Sequence, residues 1–498
     1  MNYRCWLAGI IFPLIVSGVS AQSLTQDSYS KGREVLDRAI AAYGGTAALG
    51  AMENVSITVG GESVHRNQSR KPGAFDRTPY SGEVIIDIRN TRTRQTQKGH
   101  YPGGFNWHQG NVVENGSRIS YDLIRRTSNT PAPISLAVFR ANSRWLPQLV
   151  LLNMIERAES LRYLGTADFE GRRHDVVDYV ANDGNRLSVY IDAQTGQLSK
   201  FEQFFTDRFT GDSVLETRFP NQRKQGNFLV PTGRVNVVNG DVTNDFKFSD
   251  VRFNAQLADS LFKLPEGLRA VTFPAPVPVT KHAERIYTTS AGGYNVLFAD
   301  LGDHIFVMEA PGNDRVSQQA IDQIKKTLPG KPIKYLAVTH HHDDHAGGIR
   351  AYMAEGATLI VAPGEQAFFE KVSKARFTAE PDSLTRNARP LKFEPVRDGK
   401  RVVGNGSTTI EIHDIGSGPH TEQMLVAYIP ELKAVYQGDL LNRPSNGDYP
   451  IANDTSAHFL KWIESSGLAV ERIIPVHGTV TTMDEFRKAV ADLSVASN

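Results

Sequence analysis

Four histidines fall within six positions of one segment, Thr339-His340-His341-His342-Asp343-Asp344-His345-Ala346-Gly347-Gly348, interleaved with two carboxylates. The segment leaves an apolar run, Leu336-Ala337-Val338, and enters a helical pattern. Leaving a strand, side chains at i and i+2 point the same way, so His340 and His342 can converge on one metal ion while His341 turns aside. Asp344 and His345 start the turn into the helix and can reach a second ion, with Gly347 and Gly348 letting the backbone pass close. Neutral imidazoles mixed with carboxylates suit zinc or another borderline divalent cation. A merely solvated polar loop would leave the carboxylate and the fourth histidine at these positions unexplained. No other nucleophile stands out: there is no GxSxG elbow, and the single cysteine is Cys5.

The arrangement resembles the HxHxDH signature of the metallo-β-lactamase superfamily, matched by His340, His342, Asp344 and His345, and the resemblance extends over roughly Lys281 to Ser497. It implies an αβ/βα sandwich with a two-metal site at the edge between its sheets. It also implies three later donors. Gly416-Ser417-Gly418-Pro419-His420-Thr421 supplies His420 on a loop, Val435-Tyr436-Gln437-Gly438-Asp439 supplies Asp439 at a strand end, and Ile474-Pro475-Val476-His477-Gly478 supplies His477 after a strand near the C-terminus. On this resemblance one zinc ion is expected on His340, His342 and His420, a second on Asp344, His345 and His477, and Asp439 bridges them. Two cations about 3.5–4 Å apart can share a water, lower its pKa toward about 7 and polarise a carbonyl or phosphoryl oxygen. Asp344 is the expected catalytic residue, orienting that hydroxide and shuttling a proton to the leaving group.

The sequence departs from the family pattern in places. A second histidine that many relatives carry before the third ligand is absent from Ile415-Gly416-Ser417-Gly418, which leaves His413 as an alternative donor. Glu309 stands where relatives often have Asp, and is expected in a supporting or structural role. Asn442 replaces the tyrosine of the acyl-homoserine lactonases, for which Tyr449 is either a spatial substitute or a plain loop aromatic. Asp439, where β-lactamases proper usually have Cys or Ser, argues against antibiotic hydrolysis as the main activity.

The elements that must position these residues follow from periodicity. Residues 1 to 21, with Arg4, an apolar run from Cys5 to Val16 and small residues up to Ala21, read as a secretory signal peptide cleaved after Ala21. The run is too short for a spanning helix and contains Pro13. A helix is expected over Ser30 to Ala41, stopped at Gly44-Gly45. Period-two segments follow, including NVSITVGG, GEVIIDIRN, RHDVVDYVAND and GRVNVVNGDVTNDFKF, broken by one helix near Leu146 to Leu161. The fold class is therefore α+β with two domains: an N-terminal antiparallel β domain with flanking helices over 22–268, a Pro-rich linker over 269–283 and the hydrolase domain over 284–498. In the last of these, strands Asp303–Glu309, Ile333–Thr339, Thr358–Val361 and Arg472–His477 alternate with helices Val316–Leu328, Ile349–Glu355, Glu365–Ala375 and Ser456–Ser466. Thr482 and Glu485 make a capping box for a final helix.

Composition bounds the function. The 498 residues are 40% hydrophobic and 22% charged, as in ordinary globular chains, and exceed what one domain usually holds. Lys plus Arg number 55 against 54 acidic residues, and losing Arg4 with the leader makes the two equal. No net field draws the chain to nucleic acid or anionic lipid, so a neutral or amphiphilic small-molecule substrate is expected. One cysteine excludes a disulfide framework and a thiolate zinc site. His65, His100, His108 and His174 have no ligand spacing and are expected to be exposed or hydrogen-bonded, and His458 to be packed. The basic run Ile85 to Lys98 reads as a solvated strand face. Asp259 to Pro265 and the opening helix are loosely similar to periplasmic lipoprotein carrier and sorting proteins, which would imply an apolar cradle.

The function expected is that of an exported zinc-dependent hydrolase acting on an ester, lactone, amide (including β-lactam) or thioester carbonyl, in the periplasm or outside the cell. The alternatives are a phosphodiesterase or phosphotriesterase with the same site, or a non-catalytic metal- or lipid-binding protein.

Overall fold

The computed structural model describes residues 23–272, 275–404 and 406–496. The leader expected over 1–21 and Phe273-Pro274 of the Pro-rich stretch lie outside the described residues.

The opening helix runs Leu24–Ala42, six residues earlier than its apolar spacing indicates. Ser23 explains the difference: its hydroxyl accepts from the Gln26 amide while the Gln26 side chain accepts from the Ser23 amide, a reciprocal cap. Val35, Leu36, Ala39 and Ile40 form its buried stripe. The chain then enters a sheet of 15 strands among the described residues. Its first strands are β1 (Asn54–His65), β2 (Asp76–Asp87), β3 (Arg92–Tyr101) and β4 (Phe105–Glu114), each antiparallel to the next. The ladder of β1 and β2 pairs Asn54 with Asp87 and His65 with Asp76 without a shift of register. Helix Pro147–Glu156 and the opening helix pack on strand residues Val177, Tyr179, Val189 and Ile191. Phe139, on the helix Leu136–Asn142, and Trp145 cover Val55, Ile57, Val84 and Phe246.

The C-terminal region has two further sheets, of seven and six strands among the described residues. Leu297, Phe306, Met308 and Ile360 of the first meet Ile410, Ile412, Leu425, Ala427 and Tyr436 of the second in one core. Helices Asp314–Thr327 and Ile349–Glu355 cover the outer face of the first sheet, and Asp454–Ser466 and Met483–Ala496 that of the second. Within the stretch read as a linker, Arg269–Ala270 pairs with Thr127–Ser128 and Val279–Ala283 with Ile286–Ala291.

Three parallel strands, Ile305–Met308, Ile333–Ala337 and Thr358–Val361, and the parallel pair Ala434–Gln437 and Arg472–Pro475 deliver the site. Glu309, the His340–His345 loop, Asp439 and His477 all follow the carboxyl ends of such strands, where open sheets place their sites. Among the described residues no helix is long and apolar enough to cross a membrane.

Candidate metal centre

The sequence-derived donors are brought together in two groups. His340, His342, His420 and Asp439 form one, and Asp344, His345, Asp439 and His477 the other; within each group the ligand atoms lie within 4.8 Å of one another. Asp439 belongs to both. His340 Nε2 faces His420 Nε2 at 3.3 Å, and His345 Nε2 faces His477 Nε2 at 3.3 Å. Asp439 Oδ2 lies 3.2 Å from His345 Nε2 and 3.5 Å from His420 Nε2, and Asp439 Oδ1 lies 3.2 Å from His477 Nε2. Donors bonded at about 2.0–2.1 Å to one tetrahedral cation stand about 3.3–3.4 Å apart, so these separations fit an ion within each group.

The opposite ring nitrogens are held by the protein. His345 Nδ1 pairs with Glu309 Oε2 at 3.1 Å, and Glu309 Oε1 accepts from the Thr339 amide at 3.0 Å. The Glu309 carboxylate, with no exposure, therefore selects the His345 tautomer that turns Nε2 to the centre. Thr339 Oγ1 lies 3.0 Å from His340 Nδ1 and holds that ring in place. His342 is reversed: its Nε2 hydrogen-bonds the Ser69 carbonyl at 3.0 Å, and its Nδ1 is buried with no hydrogen-bond partner. That orphaned lone pair suits a cation. Asn442 Nδ2 donates to Asp439 Oδ1 at 3.2 Å, and Asp439 has φ of 56°, a left-handed backbone uncommon outside glycine. A Cβ on the preceding Gly438 would come within 2.4 Å of Thr339 Oγ1 and 3.0 Å of His345 Nδ1, so no other residue fits without displacing the ligand loop.

The electrostatics separate rings from carboxylates. Burial, followed by the neighbouring imidazoles, lowers the pKa of His340 and His342 well below the usual histidine value, which keeps their lone pairs free. Burial opposes ionisation of Asp344 and Asp439, yet His345 and His477 hold both below the ordinary carboxylate range. His345 moves well above its usual value against burial, under Asp344, Asp439 and Glu309. Burial, and then the charges of Asp344, Asp343 and Asp439, raise the Tyr101 phenol, which stays protonated beside the site.

No motif marks what the N-terminal sheet contributes. The turn between β1 and β2 reaches the ligand loop: Asn67 O accepts from the Asp343 amide at 3.2 Å, and Ser69 O hydrogen-bonds both His341 Nε2 at 2.9 Å and His342 Nε2. Gln68 Nε2 donates to Asp343 Oδ1 at 2.7 Å and to Asp344 Oδ1 at 2.9 Å. Arg70 donates to Gly418 O at 2.9 Å, and its own carbonyl accepts from the Glu422 amide. The hairpin between β3 and β4 passes over the other side. Phe105 meets the His420 ring edge-on at 5.0 Å, and a Cβ on Gly103 would come within 2.7 Å of His420 Cα. Carbonyl acceptors and an isolated glutamine have no motif, which is why spacing could not find them.

Other residues stand apart. His413 pairs with Glu411 at 3.0 Å and packs on Trp462, outside both donor groups. Tyr449 is exposed and near Lys488. His341 is buried between Ser69 O and Glu365 Oε1. His65 and His174 are buried and hydrogen-bonded to Thr78 and Ser199, and Arg92 on the basic strand pairs with Asp87 at 2.7 Å.

Residues 316–477, the segment carrying the whole donor set, match the family model described as Metallo-beta-lactamase superfamily. Over this segment the C-terminal region of the chain is similar to the metallo-β-lactamase superfamily. A curated relative, the lactamase-like protein vrtG of Penicillium aethiopicum, is 28% identical over 148 residues, 30% of this chain and 39% of its own length. The chain thus spans about two fifths of the length of this relative. Among solved structures it is similar to the metallo-β-lactamase FIM-1 of Pseudomonas aeruginosa, at 23% identity over 45% of this chain and 98% of that one, with a TM-score of 0.34. A metallo-β-lactamase from Pontibacter korlensis is 16% identical over 43% of this chain and 96% of its own, with a TM-score of 0.31.

Proposed function

We propose that this protein is an exported hydrolase with two zinc ions, which cleaves an ester, lactone, amide or thioester carbonyl of a neutral or amphiphilic small molecule. The observation that carries the reading is the pair of donor groups sharing Asp439, with facing ring nitrogens 3.3 Å apart in each. A closed structural zinc needs only four ligands, whereas seven residues converge here.

His340, His342 and His420 would hold one ion, Asp344, His345 and His477 the other, and Asp439 both. Bound there, the ions supply Lewis acidity and a water acidified toward a pKa of about 7. The protein's own residues do the rest. Asp344, which keeps part of its side chain open to solvent, orients the attacking water, takes its proton and returns it to the leaving atom. Glu309 sets the His345 tautomer, and Thr339 holds the His340 ring. Phe105 walls the His420 side. The leader supports a periplasmic or secreted location.

The test is metal analysis of the purified protein together with a panel of β-lactams, acyl lactones, aryl esters and phosphodiesters, assayed with and without chelator. Close to two ions per chain are expected, with chelator-sensitive cleavage of a carbonyl substrate that Asp344→Ala abolishes in a folded protein. One ion or none, or full activity in Asp344→Ala, would reject the reading.

A further inference from the structure

We propose that Gln68 is a positioning residue of the metal centre: from the β1–β2 turn of the N-terminal sheet its side-chain amide holds the Asp344 carboxylate toward the second donor group. This inference rests on the metal-centre reading above.

The geometry is specific. Gln68 Nε2 spends its two protons on two carboxylates, Asp343 Oδ1 at 2.7 Å and Asp344 Oδ1 at 2.9 Å. The other oxygen of Asp344, Oδ2, is the one that faces the donor group, 3.5 Å from both His345 Nε2 and His477 Nε2. One oxygen is thus engaged by Gln68 and the other is presented to the ion, the division of labour seen when an outer hydrogen bond orients a ligating carboxylate. Without the amide, the Asp344 carboxylate would rotate about a broad terminal torsion. The neighbouring Ser69 carbonyl fixes the His342 ring so that its unpartnered Nδ1 faces inward. The turn is itself rigid: the Ser69 hydroxyl donates to His65 O and accepts from the Asp76 amide, and Arg70 and Asn67 bind the C-terminal region on either side. Gln68 therefore approaches the carboxylates from a fixed platform.

Gln68→Met keeps the side-chain length and removes the donor; Gln68→Ala serves as a second variant. Full-length metal-free proteins are titrated with Zn²⁺ against a chromogenic chelator, with Co²⁺ absorption spectra and melting of the metal-free forms measured in parallel. The expected result is a tenfold to hundredfold weaker second equivalent, an unchanged first equivalent, an altered Co²⁺ spectrum and an unchanged metal-free melting temperature. Wild-type affinities and spectra in both variants would overturn the inference while leaving the two-ion reading intact. Equal weakening of both equivalents with a lowered metal-free melting temperature would also overturn it, by showing a role confined to stability. A wild-type protein that binds no Zn²⁺ would remove the reading and the inference together.

Discussion

Replacing Glu309 with Gln separates the chemistry of a buried carboxylate from its volume. Glu309 has no exposure and makes two contacts, accepting from the Thr339 amide at 3.0 Å and pairing with His345 Nδ1 at 3.1 Å. Glutamine keeps the shape and can keep the oxygen opposite Thr339, but its NH₂ then faces the His345 Nδ1–H. Donor meets donor, and the imidazole escapes by moving its proton to Nε2, the atom the ion requires. Loss of such an outer partner costs about 10–100-fold in metal affinity, equivalent to roughly 1.4–2.8 kcal/mol. The loss should fall on the ion held by Asp344, His345 and His477, because Glu309 makes no contact with His342 or His420. Glu309→Ala additionally strands two buried donors, at about 1–3 kcal/mol each, so it should lower the melting temperature as well. Zn²⁺ titration against a chelator reads the first effect and calorimetry of the metal-free protein the second. Wild-type affinity for both ions in Glu309→Gln would refute the argument that this carboxylate sets the tautomer.

Two other changes test neighbouring links. Gly438→Ala places a methyl 2.4 Å from Thr339 Oγ1, so the ligand loop must shift, at about 1–3 kcal/mol, and metal content per folded chain should fall; a fully loaded variant would show that the loop yields freely. Burial opposes ionisation of Asp207, but Arg66 and the amides of Thr210 and Phe209 keep its pKa lowered. A depressed folded value means that this stabilisation is complete above the unfolded pKa, near about 4, and is lost as pH falls through the folded one. Urea midpoints should therefore decline less steeply with acid in Asp207→Asn than in wild type, and parallel curves would contradict the assignment.

The candidate donors were legible because metal chemistry demands particular residue types at particular spacings. His340, His342, Asp344 and His345 share one short segment, His420 lies on a loop, and Asp439 and His477 each follow a strand. Element type was legible where apolar periodicity was strong: Ile349–Glu355 and Thr358–Val361 have the limits expected. Boundaries moved where side chains cap the backbone, as Ser23 does for the first helix and Asn313 for the helix Asp314–Thr327. The short helix Leu136–Asn142 escaped notice between prolines and a second helix. Least legible was the support from Gln68, Ser69 and Phe105. Backbone carbonyls carry no residue signature, and their partners lie far along the chain, Gln68 and Asp343 being 275 positions apart.

The unbroken pairing of β1 with β2 makes the sheet a ruler for the centre. Between His65 and Asp76 the turn has a fixed count of residues, and its tip lies where the last ladder pair places it. A single-residue insertion or deletion in either strand would slip the pairing by about 3.3 Å and turn every side chain to the opposite face. Gln68 would then lose both carboxylates although no donor had been altered. Length variation in β1 and β2 should consequently be as damaging to metal loading as substitution of a ligand, whereas the same variation in strand Arg162–Phe169, at the far edge of that sheet, should not.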